Sequence, residues 1–178
     1  MLVSPPARSA LIVIDFQARL MPDIVEGGAA VANARRLLRA AELLDVPVVY
    51  TEQNPKGLGG TVAELAPAAT ARVVSKMTFD AWRSDEMRAA IPDGAELVVT
   101  GCEAHVCVLQ SVLGFLGAGR RVHVVRDAIA SRRVENRDAA LARMARHGAE
   151  IVTTEMVAFE WLGSSEHARF RDVLSLIK

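Results

Sequence analysis

Six short apolar runs alternate with longer helical patterns along these 178 residues, and that alternation constrains the fold more than any other feature. Residues 10–15 (ALIVID) form a continuous apolar run ending in an acid, the pattern of a strand buried on both faces. Residues 27–45 follow with Val31, Ala34, Leu38, Ala41 and Leu44 at helical spacing. Further strands are predicted at 46–51 (VPVVYT), 71–75 (ARVVS), 96–101 (ELVVTG), 121–126 (RVHVVR) and 150–154 (EIVTT). Helical patterns at 85–90, 105–118, 135–147 and 166–177 lie between and after them, the first closed by Pro92, Asp93 and Gly94 and the third by Gly148. Parallel strands need crossover connections, and right-handed crossovers place helices on both faces of one sheet. The reading is an α/β fold, a doubly wound three-layer sandwich, with residues 1–178 as one domain.

Composition narrows the function classes. Half the residues are apolar, enough for a substantial core. Lysine plus arginine balance aspartate plus glutamate, 21 against 21, so charge gives no reason to expect nucleic acid as a partner. The two cysteines, Cys102 and Cys107, cannot build a disulfide framework. Residues 1–9 lack the charged start and apolar stretch of a signal peptide, and no apolar run approaches the roughly 18–20 residues that span a bilayer. A cytoplasmic protein, with no membrane and no cofactor, is the expectation.

Doubly wound sheets place ligands beyond the carboxyl ends of their strands. Asp15 closes the first strand, where a half-buried carboxylate calls for a partner. An Asx turn or helix cap would explain it equally well. Lys76 follows the third strand and supplies a cation if the two ends meet; a solvated lysine is the plainer reading. The fourth strand runs into Gly101-Cys102-Glu103-Ala104-His105-Val106-Cys107, which puts Cys107 in the opening turn of a helix. The N–H groups and partial positive charge of such a turn favour a thiolate and form an oxyanion hole. A cysteine so placed is expected to ionise below its free pKa of about 8.5. Taken alone, Cys107 is as well read as a small buried hydrophobe. The Cys102–Cys107 spacing fits neither a metal pair nor a CxxC redox motif. His105 as a base for Cys107 is the weaker alternative, because side chains two residues apart in such a turn diverge.

These residues carry a resemblance. VIDFQ (13–17), TEQNPKGLGGTV (51–62), SKMTFDAW (75–82) and GCEAHVCVLQS (101–111) are similar to the isochorismatase-like cysteine hydrolases, above all their isochorismatase domain-containing members. The closing FEWLGSSEHARFRDVLSLIK resembles the same subgroup, so the likeness covers nearly the whole chain. The resemblance implies a six-stranded parallel sheet in order 3-2-1-4-5-6. It implies a catalytic triad of Asp15, Lys76 and Cys107, and a cis peptide between Cys102 and Glu103. The N–H groups of Glu103 and Cys107 would then form the oxyanion hole, and a thioester on Cys107 would be the intermediate.

Two departures from the family pattern shape the expectation. Metal-binding nicotinamidases carry an aspartate and clustered histidines after the second strand, where this chain has Thr51-Glu52-Gln53-Asn54. No metal is expected. Members acting on an enol ether typically lack the cysteine, so Cys107 points to an amide, imide or ester. Phe16, Gln17, Glu52, Asn54, Phe79 and Trp82 follow strand ends and are the candidate pocket residues; lid or core packing would serve Phe79 and Trp82 equally. The family resembled is generally oligomeric, so a homo-oligomer is expected, with Trp161 placed at a subunit contact. Two other classes compete. A catalytically silent binding or scaffold protein shares the fold. A nucleotide-binding enzyme would need a G-x-G-x-x-G turn after the first strand, where Asp15-Phe16-Gln17-Ala18-Arg19 has no glycine.

Overall fold

A computed structural model describes residues 3–69 and 71–178. The first two residues of the 1–9 segment therefore lie outside the described residues. In chain order the elements are β1 (Ser9–Ile14), α1 (Gly27–Leu43), β2 (Val48–Gln53), α2 (Pro55–Leu58), β3 (Arg72–Lys76) and α3 (Asp85–Ala90). There follow β4 (Glu96–Cys102), α4 (Leu109–Gly117), β5 (Val122–Ala130), α5 (Val134–Arg146), β6 (Glu150–Val152), α6 (Thr154–Leu162) and α7 (Phe170–Ile177). The sheet is six-stranded in the order β3-β2-β1-β4-β5-β6, and every pairing is parallel. The expected α/β architecture and strand order are both present.

The pleat of β1 explains the two helical layers. Ala10, Ile12 and Ile14 point to one face and pack with Leu97, Val99, Met87, Val112, Phe115 and Met144, which seats α3, α4 and α5. Leu11 and Val13 point to the other face and pack with Ala34, Leu37, Ala41 and Trp161, which seats α1 and α6. All six residues of β1 are buried, as a strand at the centre of a covered parallel sheet must be.

Chain order along the sheet reverses between β1 and β4. Such a switch point opens a crevice beyond the carboxyl ends of the strands. The two strands approach closely there: a Cβ on Gly101 would lie 2.3 Å from the Ile14 carbonyl oxygen, so only glycine fits. The register of β4 against β5 jumps from Val99–Val124 to Gly101–Ile129, which lengthens β5 past the predicted end at 126.

Two predicted elements need correction. Residues 153–154 do not end β6; Thr153 caps α6 by accepting from the Met156 N–H, and a left-handed Gly163 ends that helix. The final helix starts at Phe170 rather than at 166. Trp161 sits on the inner face of α6, almost completely buried, with its indole N–H donated to Ser9 Oγ at 3.1 Å. A residue so enclosed within its own chain cannot form the subunit contact expected of it.

Candidate active site

Three strand ends converge at the switch point. Asp15 leaves β1 with a left-handed backbone (φ 50°), a conformation aspartate tolerates better than most residues. One of its carboxylate oxygens accepts from Thr51 Oγ1 at 2.6 Å, and the other accepts from Lys76 Nζ at 2.6 Å. Both charged side chains are completely buried. Lys76 is the last residue of β3, and its ammonium also donates to the carbonyls of Thr78 (3.3 Å) and Phe79 (3.5 Å).

Cys107 comes to this ion pair from β4. The Cys102–Glu103 peptide is cis, and residues 104–108 wind as a π turn before α4 begins. The N–H groups of Val106 and Val108 both return to the Glu103 carbonyl, at 3.1 and 3.2 Å. The Glu103 carboxylate is itself fixed, accepting from the Arg132 backbone N–H and from Arg132 Nε at 3.0 Å each. This leaves Cys107 only 7% exposed, close enough to Asp15 and Lys76 for both charges to act on its thiol.

The electrostatics correct the expectation of an acidified thiol. Burial pushes the Cys107 pKa up to about 12; the Asp15 carboxylate adds to the rise and Lys76 opposes it. Desolvation by the core is the largest cause, so the resting group is a thiol beside a carboxylate. Burial likewise raises the Cys102 thiol.

The remaining candidates are placed as follows. Phe16 packs in the core against α1. The Gln17 amide donates to the carbonyls of Gln53 (3.0 Å) and Gly59 (2.6 Å) and accepts from the Gln53 N–H (2.8 Å), tying the loop after β2 to the exit of β1. Glu52 steadies the same loop by accepting from the N–H and hydroxyl of Thr61. Asn54 donates its backbone N–H to the Lys76 carbonyl at 2.8 Å. Phe79 is 48% exposed beside the lysine loop, and Trp82 packs edge-on against Phe115, with centroids 5.8 Å apart. His105 pairs one ring nitrogen with Ser131 Oγ at 3.0 Å. Thr51 and Ser111 belong to the site without having been singled out as candidates. Thr51 ends the second apolar run and could have been found by the strand-end rule, whereas Ser111 closes the segment 101–111 with no local signal of its role.

Among the described residues, no group of three or more His, Cys, Asp or Glu side chains could hold a metal ion, and no helix is long and apolar enough to cross a membrane. A carboxylate–ammonium pair beneath a thiol suits proton transfer and covalent attack.

Comparison with known proteins bears on the family and the fold. The isochorismatase domain family model matches residues 9–156. Isochorismatase domain-containing protein 1 of Danio rerio is 39% identical over 97% of the chain, which spans 62% of that relative's length. The structure of MAR1 ribonuclease from Caenorhabditis elegans superposes with a TM-score of 0.92 at 35% identity, covering 97% of this chain and 91% of that one. YcaC from Pseudomonas aeruginosa, solved with hexane-2,5-diol and covalent acrylamide, gives a TM-score of 0.90 at 25% identity over 98% of this chain and 91% of that one. With a family match over most of its length and the six-stranded sheet in place, this chain belongs to the isochorismatase family and has its hydrolase fold.

Proposed function

We propose that the chain is a thiol-dependent hydrolase that cleaves a small amide, imide or ester through a thioester on Cys107, with C–N bonds its main target. The observation that carries this reading is the Asp15–Lys76 ion pair, fully buried at 2.6 Å and near enough to the Cys107 thiol for both charges to act on it. A buried ion pair adds little net stability compared with apolar residues of the same volume, so its presence here calls for a chemical role. The Pseudomonas aeruginosa neighbour was solved with covalent acrylamide, an electrophile that thiols capture, and a nucleophilic thiol on this fold is in keeping with that.

Asp15 takes the thiol proton as Cys107 Sγ attacks the carbonyl carbon, and Lys76 holds the developing thiolate. The oxyanion is received by the N–H groups of Glu103 and Cys107, donors of the kind worth about a hundredfold or more each. As the C–N or C–O bond breaks, Asp15 returns its proton to the leaving group. A water deprotonated by Asp15 then attacks the thioester; the acid departs and the proton passes to the thiolate, restoring the thiol. Phe79 and Trp82, with Glu52 and Asn54 across the crevice, are proposed to bound the pocket, on a floor fixed by Phe16 and Gln17. A thiol of this kind suits a reducing compartment such as the cytoplasm. Assembly as a homo-oligomer belongs to the same proposal, with Met156 and Phe159 on α6 offering exposed apolar surface to a second copy.

The ribonuclease name of the Caenorhabditis elegans neighbour gives RNA as a rival substrate. A thiol nucleophile suits acyl transfer better than phosphodiester cleavage, and the balanced charge shows no basic excess that would favour a polyanion. Small amides, imides and activated esters should therefore be screened. Rapid acid quenching and intact-protein mass spectrometry are expected to show an acyl adduct mapping to Cys107. Steady turnover of a substrate with no acylated cysteine at any time point would overturn the thioester mechanism.

A further inference from the structure

We propose that Ser111 is a positioning residue that holds the Lys76 ammonium in register with the Cys107 thiol. The inference rests on the Asp15–Lys76–Cys107 reading above and extends it to a residue that touches none of the reacting atoms.

Lys76 owes two of its three acceptors to a surface loop. Its ammonium donates to the carbonyls of Thr78 and Phe79, yet Met77, Thr78 and Phe79 are all exposed, Met77 by 71%. A loop so placed needs an anchor if those carbonyls are to stay in position. Ser111 supplies one from the nucleophile's own helix. It lies four residues after Cys107, in the first turn of α4 directly after the π turn that holds the thiol, and is completely buried.

Its hydroxyl accepts from the Ala81 N–H at 2.9 Å and donates to the Phe79 carbonyl at 3.3 Å. The Phe79 oxygen thus receives both the Ser111 hydroxyl and the Lys76 ammonium, one for each lone pair. That carbonyl is a direct mechanical link between the helix bearing the thiol and the cation beside it.

The rest of the helix face is shaped to the same loop. A Cβ on Gly114 would come within 2.5 Å of the Asp80 carboxylate, so glycine is what lets the loop lie against α4. The Asp80 carboxylate in turn accepts from the Trp82 N–H at 2.9 Å, and Trp82 meets Phe115 edge-on at the far end. A buried hydroxyl is costly unless bonded, and the Ser111 hydroxyl makes these two bonds to the loop that carries the lysine's acceptors.

The test needs no substrate. Iodoacetamide labelling of Cys107 is followed on the full chain from about pH 7 to 9.5, well below the melting temperature, with adducts assigned by peptide mapping. Below the thiol pKa the thiolate fraction changes tenfold for each unit by which that pKa moves. Loosening Lys76 therefore lowers the whole profile. Ser111→Ala is expected to label about tenfold more slowly at every pH, and Ser111→Thr, which keeps the hydroxyl, within about twofold of wild type. Gly114→Ala, which presses on Asp80 but leaves the hydroxyl in place, is expected to slow labelling as well, and it decides the matter should Ser111→Ala fail to fold. A Ser111→Ala profile that overlays the wild type, whatever its melting temperature, overturns the proposal, as does a Ser111→Thr protein as slow as the alanine variant. Turnover by Cys107→Ala judges the nucleophile separately: if it persists, the thiol mechanism falls while the labelling result still stands or fails by itself.

Discussion

Lys76→Met is expected to destabilise the fold by about 3–5 kcal/mol, the penalty for stranding one charge of a buried pair. The lysine neutralises Asp15 where neither side chain touches solvent, and Thr51 can supply only a neutral hydrogen bond to the carboxylate left behind. Asp15→Asn alone strands the ammonium, which keeps only neutral acceptors, the Thr78 and Phe79 carbonyls and the new amide oxygen. The double variant Asp15→Asn/Lys76→Met removes both charges, so its loss should be well below the sum of the singles. Chemical denaturation of the four proteins checks this. If the two single losses simply add, the pair is not coupled as the 2.6 Å contact requires. All three variants should also lose turnover. Instability and inactivity then share one cause, the use of an ion pair where apolar residues would pack equally well.

The elements that matter for this site were legible because each carries a local signal. Apolar runs of strand length mark β1, β2 and β4, and the rule that ligands gather at carboxyl strand ends singles out Asp15, Lys76 and Cys107. What the sequence leaves unsaid is pairing across distance. Thr51 meets Asp15 across 36 positions, and Ser111 meets Ala81 across 30. Nothing near Glu103 announces that Arg132 will fix it.

The state of the thiol is hidden in the sequence for a related reason. A helix start is visible in sequence, but the depth at which the core buries that start is not, and here burial dominates. Helix α6 shows a different failure. Its buried residues Thr154, Val157, Ala158, Trp161 and Leu162 follow helical spacing, but exposed Met156 and Phe159 put apolar side chains on the outer face beside Glu155 and blur the amphipathic pattern. The β-branched run before it then draws the eye to a strand. Its two boundary signals, Thr153 and Gly163, were present in the sequence.

Cys107→Ala is expected to reduce turnover by about four orders of magnitude or more, the scale seen when a covalent nucleophile is removed. Retention of activity within tenfold of wild type would end the thioester mechanism. The same variant should carry a second mark, in stability. In the folded chain the Cys107 thiol holds its proton up to about pH 12, whereas in the unfolded chain it releases it near about pH 8.5. The native state therefore enjoys the full benefit of the buried neutral thiol below that lower value. It loses this benefit progressively as the pH rises, because the unfolded chain ionises first. Alanine at 107 has no proton to lose, so its melting temperature should fall less steeply than that of wild type above about pH 9. The raised Cys102 and Tyr50 groups are common to both proteins and cancel in the comparison. An inactive variant whose alkaline stability approaches or passes that of the wild type would mark Cys107 as a thiol buried at a cost in alkaline stability that packing alone does not require.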